Sequence, residues 1–434
     1  MTAALAPAGS ITETGLPWPA VLPGGWQTLR LKYAVSLRKD RVDRPAGQYI
    51  GLENIAPQTG SLDLEEDSTA EGLSGVYKNG DVLFGRLRPY LAKVAAPETD
   101  GTCSTELFVL EPRKLRRDYL KYLLLSDGFV ELVNSATYGV KMPRADWGFV
   151  GNIRIPVPPE HFQLEIGRTL DAFVAFIDEL IGKLVSTIAL QRTVAQRSVE
   201  RLLFSGFASS ATKRRSRLPY APEIPRGWFD GKLGYFAVIQ NGSTPRREVL
   251  RYWQDGSIPW LTSGKVHEGA IESADQFVTE AAVRECHLPL VPRESILVAI
   301  TGEGRTRGVA AILRQPATIN QHVAAITPDK RLRPTYLWRV LQSQYEWLRG
   351  ESAGGGSTRA AITCEFLRHL PIPVPPLEEQ DAICQEVEIV VQETEKLDSA
   401  VAQTLQRLRA YRRTVISQAV VGLLPTGSLT WTRQ

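Results

Sequence analysis

Ile155-Pro156-Val157-Pro158-Pro159 occurs twice in this chain. It returns as Ile372-Pro373-Val374-Pro375-Pro376, 217 residues later, which is half of the 434. A long run with little glycine follows each copy. In the first run Ile166, Leu170, Phe173, Ile177, Leu180 and Leu184 alternate steps of four and three. That spacing puts them on one stripe of a helix, the seam along which helices pair. Some 40 residues at 1.5 Å each predict a rod of roughly 60 Å. Prolines just before it suit a helix start, where the missing N–H breaks no hydrogen bond. The second run repeats the seam with Ile383, Val387, Val390, Leu397 and Val401, each 217 residues after its counterpart. Thr394 stands where Ile177 predicts an apolar residue. Farther on, Arg192-Thr193-Val194 matches Arg413-Thr414-Val415, Leu202-Leu203 matches Leu423-Leu424, and Gly206 matches Gly427, now at an offset of 221. That shift predicts one additional helical turn in the second helix.

The intervening stretches repeat as well. Pro225-Arg226-Gly227-Trp228 echoes Pro23-Gly24-Gly25-Trp26, Tyr336-Leu337 answers to Tyr119-Leu120, and Gly356 to Gly139. In the first half, 49–52, 81–84 and 106–110 read as strands between Gly, Asp and Asn breaks. Asp118 to Val133 has helical spacing with Asp118 as N-cap. There is no βαβ regularity. The predicted fold class is α+β: two mixed α/β domains joined by two long helices packed as an antiparallel coiled coil, with a pseudo-two-fold internal repeat. Each apolar stripe must be buried, and the other helix is its nearest complement. The predicted segments are an N-terminus (1–22), a first domain (23–155), a first helix (156–206) and a basic, Pro-rich linker (207–224) with Lys213, Arg214, Arg215 and Arg217. A second domain (225–372), a second helix (373–427) and a tail (428–434) follow.

Composition sets the class. Hydrophobic residues at 43% and charged residues at 23% are those of a soluble globular chain. No apolar run nears the roughly 20 residues of a membrane span, and the N-terminus lacks a basic segment followed by an apolar one. The expectation is a cytoplasmic protein with no membrane contact. Cys103, Cys286, Cys364 and Cys384 are scattered, without zinc-ligand spacing. Gly302-Glu303-Gly304-Arg305-Thr306-Arg307-Gly308 misses the dinucleotide loop, because its third glycine comes one position late and Val309 to Leu313 reads as a strand. There is no GxxxxGK[ST], no HExxH and no Asn/Asp-Pro-Pro-aromatic motif. No catalytic residue, metal ligand or cofactor site is predicted.

A net charge of +4 permits nucleic acid. Reading DNA needs Arg or Lys for guanine and phosphate, Asn or Gln for adenine, and small polar groups for close approach. The first domain offers Arg86, Arg88 and Lys93, and Tyr138, Lys141 and Arg144 in the loop before its Pro motif. The second offers Thr301, Arg305, Thr306 and Arg307. Ser357, Thr358 and Arg359 lie in the loop equivalent to Tyr138–Arg144. Asn320-Gln321 could read adenine, but a structural hydrogen bond at a strand end is the preferred reading.

Leu370-Pro371-Ile372-Pro373-Val374-Pro375-Pro376-Leu377-Glu378-Glu379-Gln380 resembles a boundary in the specificity subunits of type I restriction-modification systems, where a target-recognition domain meets a conserved helix. The first copy keeps the prolines and Gln163 but has Phe162 where the second has Glu379. Gly80 to Lys93, Thr301 to Thr306 and Gly354 to Arg359 are also similar to that family, and the resemblance runs from Trp26 to Gly427. It implies a non-catalytic subunit of a restriction endonuclease and adenine DNA methyltransferase complex. Each recognition domain would read one half of a bipartite, asymmetric site in double-stranded DNA. The helices would set the gap and dock two methyltransferase (modification) subunits, and restriction (motor-nuclease) subunits would join. S-adenosylmethionine, ATP and Mg2+ would belong to those partners and not to this chain. The competing readings are a stand-alone DNA methyltransferase or nuclease, and a coiled-coil adaptor that binds protein.

Overall fold

The computed structural model describes residues 11–43, 47–64, 72–137, 142–207, 212–302, 304–352 and 361–424. It is mixed α and β. The chain forms two compact units, residues 1–186 with 400–434, and residues 187–399.

The Pro-rich motifs are strands. In the first unit Arg154–Val157 runs antiparallel to Gln27–Arg30, with Ile155 opposite Leu29 and Pro156 opposite Thr28. In the second, Pro371–Val374 pairs with Phe229–Lys232, with Ile372 opposite Gly231. Proline survives there because a two-stranded ribbon is all edge, so the missing N–H can fall on the unpaired side. Each motif therefore ties an early strand of its unit to the start of a long helix. Those helices are Glu160–Ser205, with 46 residues, and Leu377–Ala419, with 43.

The second helix is the shorter one, so it lacks the predicted additional turn. Two tyrosines keep the 217-residue register to the helix ends. The Tyr119 hydroxyl donates to Val420 O (2.7 Å) in the first unit, and the Tyr336 hydroxyl to Leu203 O (2.9 Å) in the second. Leu202, Leu203 and Phe204 are buried, and so are Ala419, Val420 and Val421 at the same offset. The 221-residue match sets exposed Leu423 against buried Leu202, so packing does not support it. Its Gly427 lies outside the described residues. The glycine that turns left-handed after the second helix is Gly422 (φ +72°), as Gly206 (φ +64°) does after the first.

A buried glutamine locks each strand–helix joint. Gln163 donates to Pro158 O (2.8 Å) and Lys114 O (3.3 Å) and accepts from Arg116 N–H (2.7 Å). Gln380 donates to Pro375 O (2.8 Å) and Arg331 O (3.0 Å) and accepts from Arg333 N–H (2.7 Å). Each amide thus joins its proline turn to the loop before a shorter helix of the same unit.

The first unit has a four-stranded antiparallel sheet in the order Val35–Arg38, Leu107–Pro112, Val82–Gly85, Val94–Ala95. A second sheet of Arg41–Val42, Ser74–Tyr77, Gly101–Cys103 and Gln48–Ile50 carries one parallel pair. The predicted helix 118–133 is two helices, Arg117–Leu125 and Asp127–Ser135. Arg116 is the N-cap residue, and Asp118 sits in the first turn. The break is at buried Ser126, whose extended backbone is held by its hydroxyl donating to Leu123 O (2.6 Å). In the second unit the main sheet runs Ala237–Asn241, Val323–Pro328, Ile296–Ala299, Ala310–Leu313, Ala270–Ile271, with only the last pair parallel. The basic segment expected to be a linker is in part a strand, Lys213–Leu218, paired with Ala221–Pro225. Its Arg214 binds Asp230 and Trp228 O.

The helices enter each core through the predicted stripe. Ile166, Leu170, Phe173 and Ile177 are buried with Val415, Ile416 and Val420 in the first unit. Ile383 and Val387 are buried with Leu202 and Leu203 in the second. Leu180, Leu184, Val390 and Val401 are half-buried, and Leu397 is 41% exposed. The stripe is fully covered only where a helix also has a sheet and shorter helices to lie on.

Candidate nucleic-acid interface

In the first unit the predicted arginines gather at the end of Val82–Gly85. Arg88 adopts the left-handed conformation (φ 51°) and its N–H donates to Pro143 O (2.7 Å), while Ala145 N–H donates to Arg86 O (2.8 Å). These bonds set the turn 86–92 beside residues 143–145. Glu106 holds the Arg144 guanidinium through two bonds (3.1 and 3.2 Å), with Arg86 at 3.9 Å, and Arg86 also lies over the Phe108 ring (5.7 Å). Arg88 is exposed, and among the described residues no ion pair is seen for it. Lys93 is half-buried and donates to Leu52 O, so its charge is engaged inside the unit. Tyr138 and Lys141 lie outside the described residues.

In the second unit the Gly/Thr/Arg loop follows the strand Ile296–Ala299. Thr301 Oγ1 meets His322 Nδ1 (2.9 Å), Thr306 Oγ1 meets His267 Nε2 (3.1 Å), and the Tyr345 hydroxyl donates to Arg305 O (2.6 Å). Arg305 is exposed. Arg307 points the other way: it is 6% exposed and trades guanidinium-to-carbonyl contacts with Arg349 (3.1 and 3.5 Å). It cannot reach a ligand without leaving the core. Ser357, Thr358 and Arg359 lie outside the described residues. Asn320 is buried and its carbonyl accepts from His322 N–H (3.0 Å), the structural role expected for it.

Some contributors escaped the sequence reading. Arg412, on the second long helix, is 3% exposed. It donates to Gln58 O (2.8 Å) and Thr59 O (2.6 Å) and pairs with Asp178 (3.2 Å). Arg413 adds a bond to Gln58 Oε1 (2.9 Å). Arg192 pairs with Asp398 (2.9 Å). Arg247 stacks on Trp253 (3.9 Å) beside Trp260 (5.1 Å). Only the buried partners separate Arg412 from its exposed neighbours, and helical spacing alone does not report them.

Two of the thiols are poor nucleophiles. Burial pushes Cys103 up to about 12 and Cys384 up to about 11, and a thiol so shifted is almost wholly protonated at neutral pH. Among the described residues no group of three or more His, Cys, Asp or Glu is placed to hold a metal ion, and no helix is long and apolar enough to cross a membrane.

Residues 225–406 match the family model for the type I restriction modification DNA specificity domain. The chain is similar to type I restriction enzyme specificity subunits. It is similar to a type I restriction enzyme specificity subunit of Escherichia coli, 26% identical over 58% of each chain. It is also similar to a putative one of Methanocaldococcus jannaschii, 24% identical over 87% of this chain and 91% of that one. The aligned stretches span 58%, 37% and 45% of three curated family members that it matches. A chain solved in work on complex assembly and conformational transition of the type I R-M system shares the fold. Its TM-score is 0.71 at 20% identity, covering 93% of this chain and 99% of that one.

Proposed function

We propose that this chain is the DNA sequence-specificity subunit of a type I restriction-modification complex. Each unit reads one part of a split, asymmetric sequence. The observation that carries this is the pairing of a constant joint with unlike loops. Both units have the same strand–glutamine–helix joint, whereas Arg86, Arg88 and Arg144 surround one sheet end and Thr301, Arg305 and Thr306 the other. Two readers of different words need that combination: one scaffold and two sets of base-contacting groups.

The internal repeat and an antiparallel coiled coil belong to the same reading. Phe173 meets Tyr411 (5.7 Å between ring centres) and Asp178 meets Arg412 in the first unit, while Arg192 meets Asp398 in the second. Positions 173 and 178 of the first helix meet 411 and 412 of the second, and 192 meets 398, which supports antiparallel pairing. In this reading the helices set the gap between the two half-sites and dock two methyltransferase subunits, which restriction subunits join. S-adenosylmethionine, ATP and Mg2+ are then used by those partners, and the chain adds recognition without catalysis.

The test is selection from a pool of random duplexes by the full chain assembled with its methyltransferase subunits. The expected result is a two-part motif with a fixed gap, bound with a steep salt dependence. Adding one turn to both long helices should change the preferred gap. No enriched motif would favour a protein adaptor, and methyl transfer by the purified chain alone would favour a stand-alone enzyme.

A further inference from the structure

Three adjacent strands of the main sheet in the second unit end together. Asn241 lies opposite Ala324, and Ala299 opposite Val323. The loops leaving that end carry Thr244, Gln321, His322 and Thr301, and these four side chains form one hydrogen-bonded chain. Thr244 Oγ1 bonds Gln321 Oε1, Gln321 Nε2 meets His322 Nε2 (3.2 Å), and His322 Nδ1 meets Thr301 Oγ1 (2.9 Å). Gly242 makes this possible. Ser243 N–H donates to Ile319 O (3.1 Å), and a Cβ on Gly242 would lie 1.7 Å from that same oxygen. Only a glycine lets the Thr244 loop come close enough to reach Gln321.

Thr244, Gln321 and His322 are exposed. Water would satisfy these groups as well as they satisfy one another, so the chain adds little to folding. Its effect is to fix a long side chain that would otherwise sample many rotamers. The hydrogen bonds can run from Thr244 toward Thr301 or the reverse, because amide orientation and imidazole tautomer can switch together. Either way, Gln321 uses one N–H and one lone pair within the chain. One N–H and one lone pair of this exposed amide remain.

We propose that Gln321 is a base-reading residue of the second unit and recognises adenine in the major groove. The free lone pair accepts from N6 and the free N–H donates to N7, the pairing that glutamine geometry allows. Thr244 and His322 are positioning residues. Exposed Arg305, on the loop that Thr301 begins, supplies charge toward phosphate. This rests on the DNA-reading function proposed above.

The experiment compares wild type, Gln321→Ala and Thr244→Val, each assembled with its methyltransferase subunits, in selection from the random-duplex pool. Wild type is expected to enrich a split motif. Gln321→Ala should lose about tenfold or more of its preference for an A·T pair at one position in one half of the motif. The other half should stay intact. Thr244→Val should weaken the same position less. A Gln321→Ala motif unchanged at every position overturns the assignment and leaves DNA reading standing. If wild type enriches nothing, DNA reading itself falls, and the assignment with it.

Discussion

The two units hold their helices through the same bonds and seat their opening tryptophans through different ones. Gln163 and Gln380 make matching sets of three bonds, and Tyr119 and Tyr336 each close on a helix-end carbonyl. All of these end on backbone atoms. The tryptophans do otherwise. Trp26 stacks near Phe162 (6.2 Å between ring centres), whereas Trp228 donates its indole N–H to Glu379 (2.9 Å). The same exchange occurs one layer further in, where Tyr122 donates to Asp171 (2.6 Å) and Arg339 binds Glu388 (2.6 Å) at the positions 217 later. A bond from a side chain to the backbone survives as long as one residue is kept, since the carbonyl is always there. A bond between side chains can be rebuilt with another pair of residues. The scaffold is constant where its partner is the chain itself.

That contrast can be broken by mutation. Gln380→Leu should destabilise the second unit by about 3 kcal/mol and Gln163→Leu the first by a similar amount, because each leaves two carbonyls and one N–H without a partner. Urea unfolding with hydrogen exchange to locate the loss checks both, and a neutral result at either site would end the equivalence. Arg412→Met should cost about 2 kcal/mol in the first unit. The residue 217 before it is Ala195, so Ala195→Gly should cost no more than the ~1 kcal/mol of helix propensity. Glu379→Leu should cost about 1 kcal/mol by stranding the Trp228 indole, while Glu379→Gln keeps an acceptor and should shift the midpoint little. The smallest effect concerns binding. Arg88→Ala should reduce the salt slope of DNA affinity by about one, whereas Arg307→Ala should lower stability and leave the slope unchanged.

Periodicity carried the long helices from sequence to structure with little error, because a stripe of apolar residues across 40-odd positions has few other meanings. The Pro motif was visible but its form was not. Proline reads as a break, and only the partner strands Gln27–Arg30 and Phe229–Lys232 make it an edge strand. Two helices looked like one because Tyr119, Leu123 and Val130 fit a single stripe, although Ser126 is pinned out of helical geometry. The additional turn came from a short local match in sequence, while the buried helix ends keep the 217-residue register. Within the candidate loop, Arg305 and Arg307 look alike in sequence. Arg349 on a neighbouring helix decides that one is surface and the other core.

The first unit is discontinuous in sequence, and this has a kinetic consequence. A chain growing from the ribosome has every residue of the second unit once Ser399 is made. The first unit still lacks Val415, Ile416, Ala419 and Val420, against which Leu170 and Phe173 are buried. At roughly 5–20 residues per second, the N-terminal half waits some ten seconds or longer with that face uncovered. The half translated first is thus the last to finish folding, and its nascent form is the one that most needs protection from aggregation.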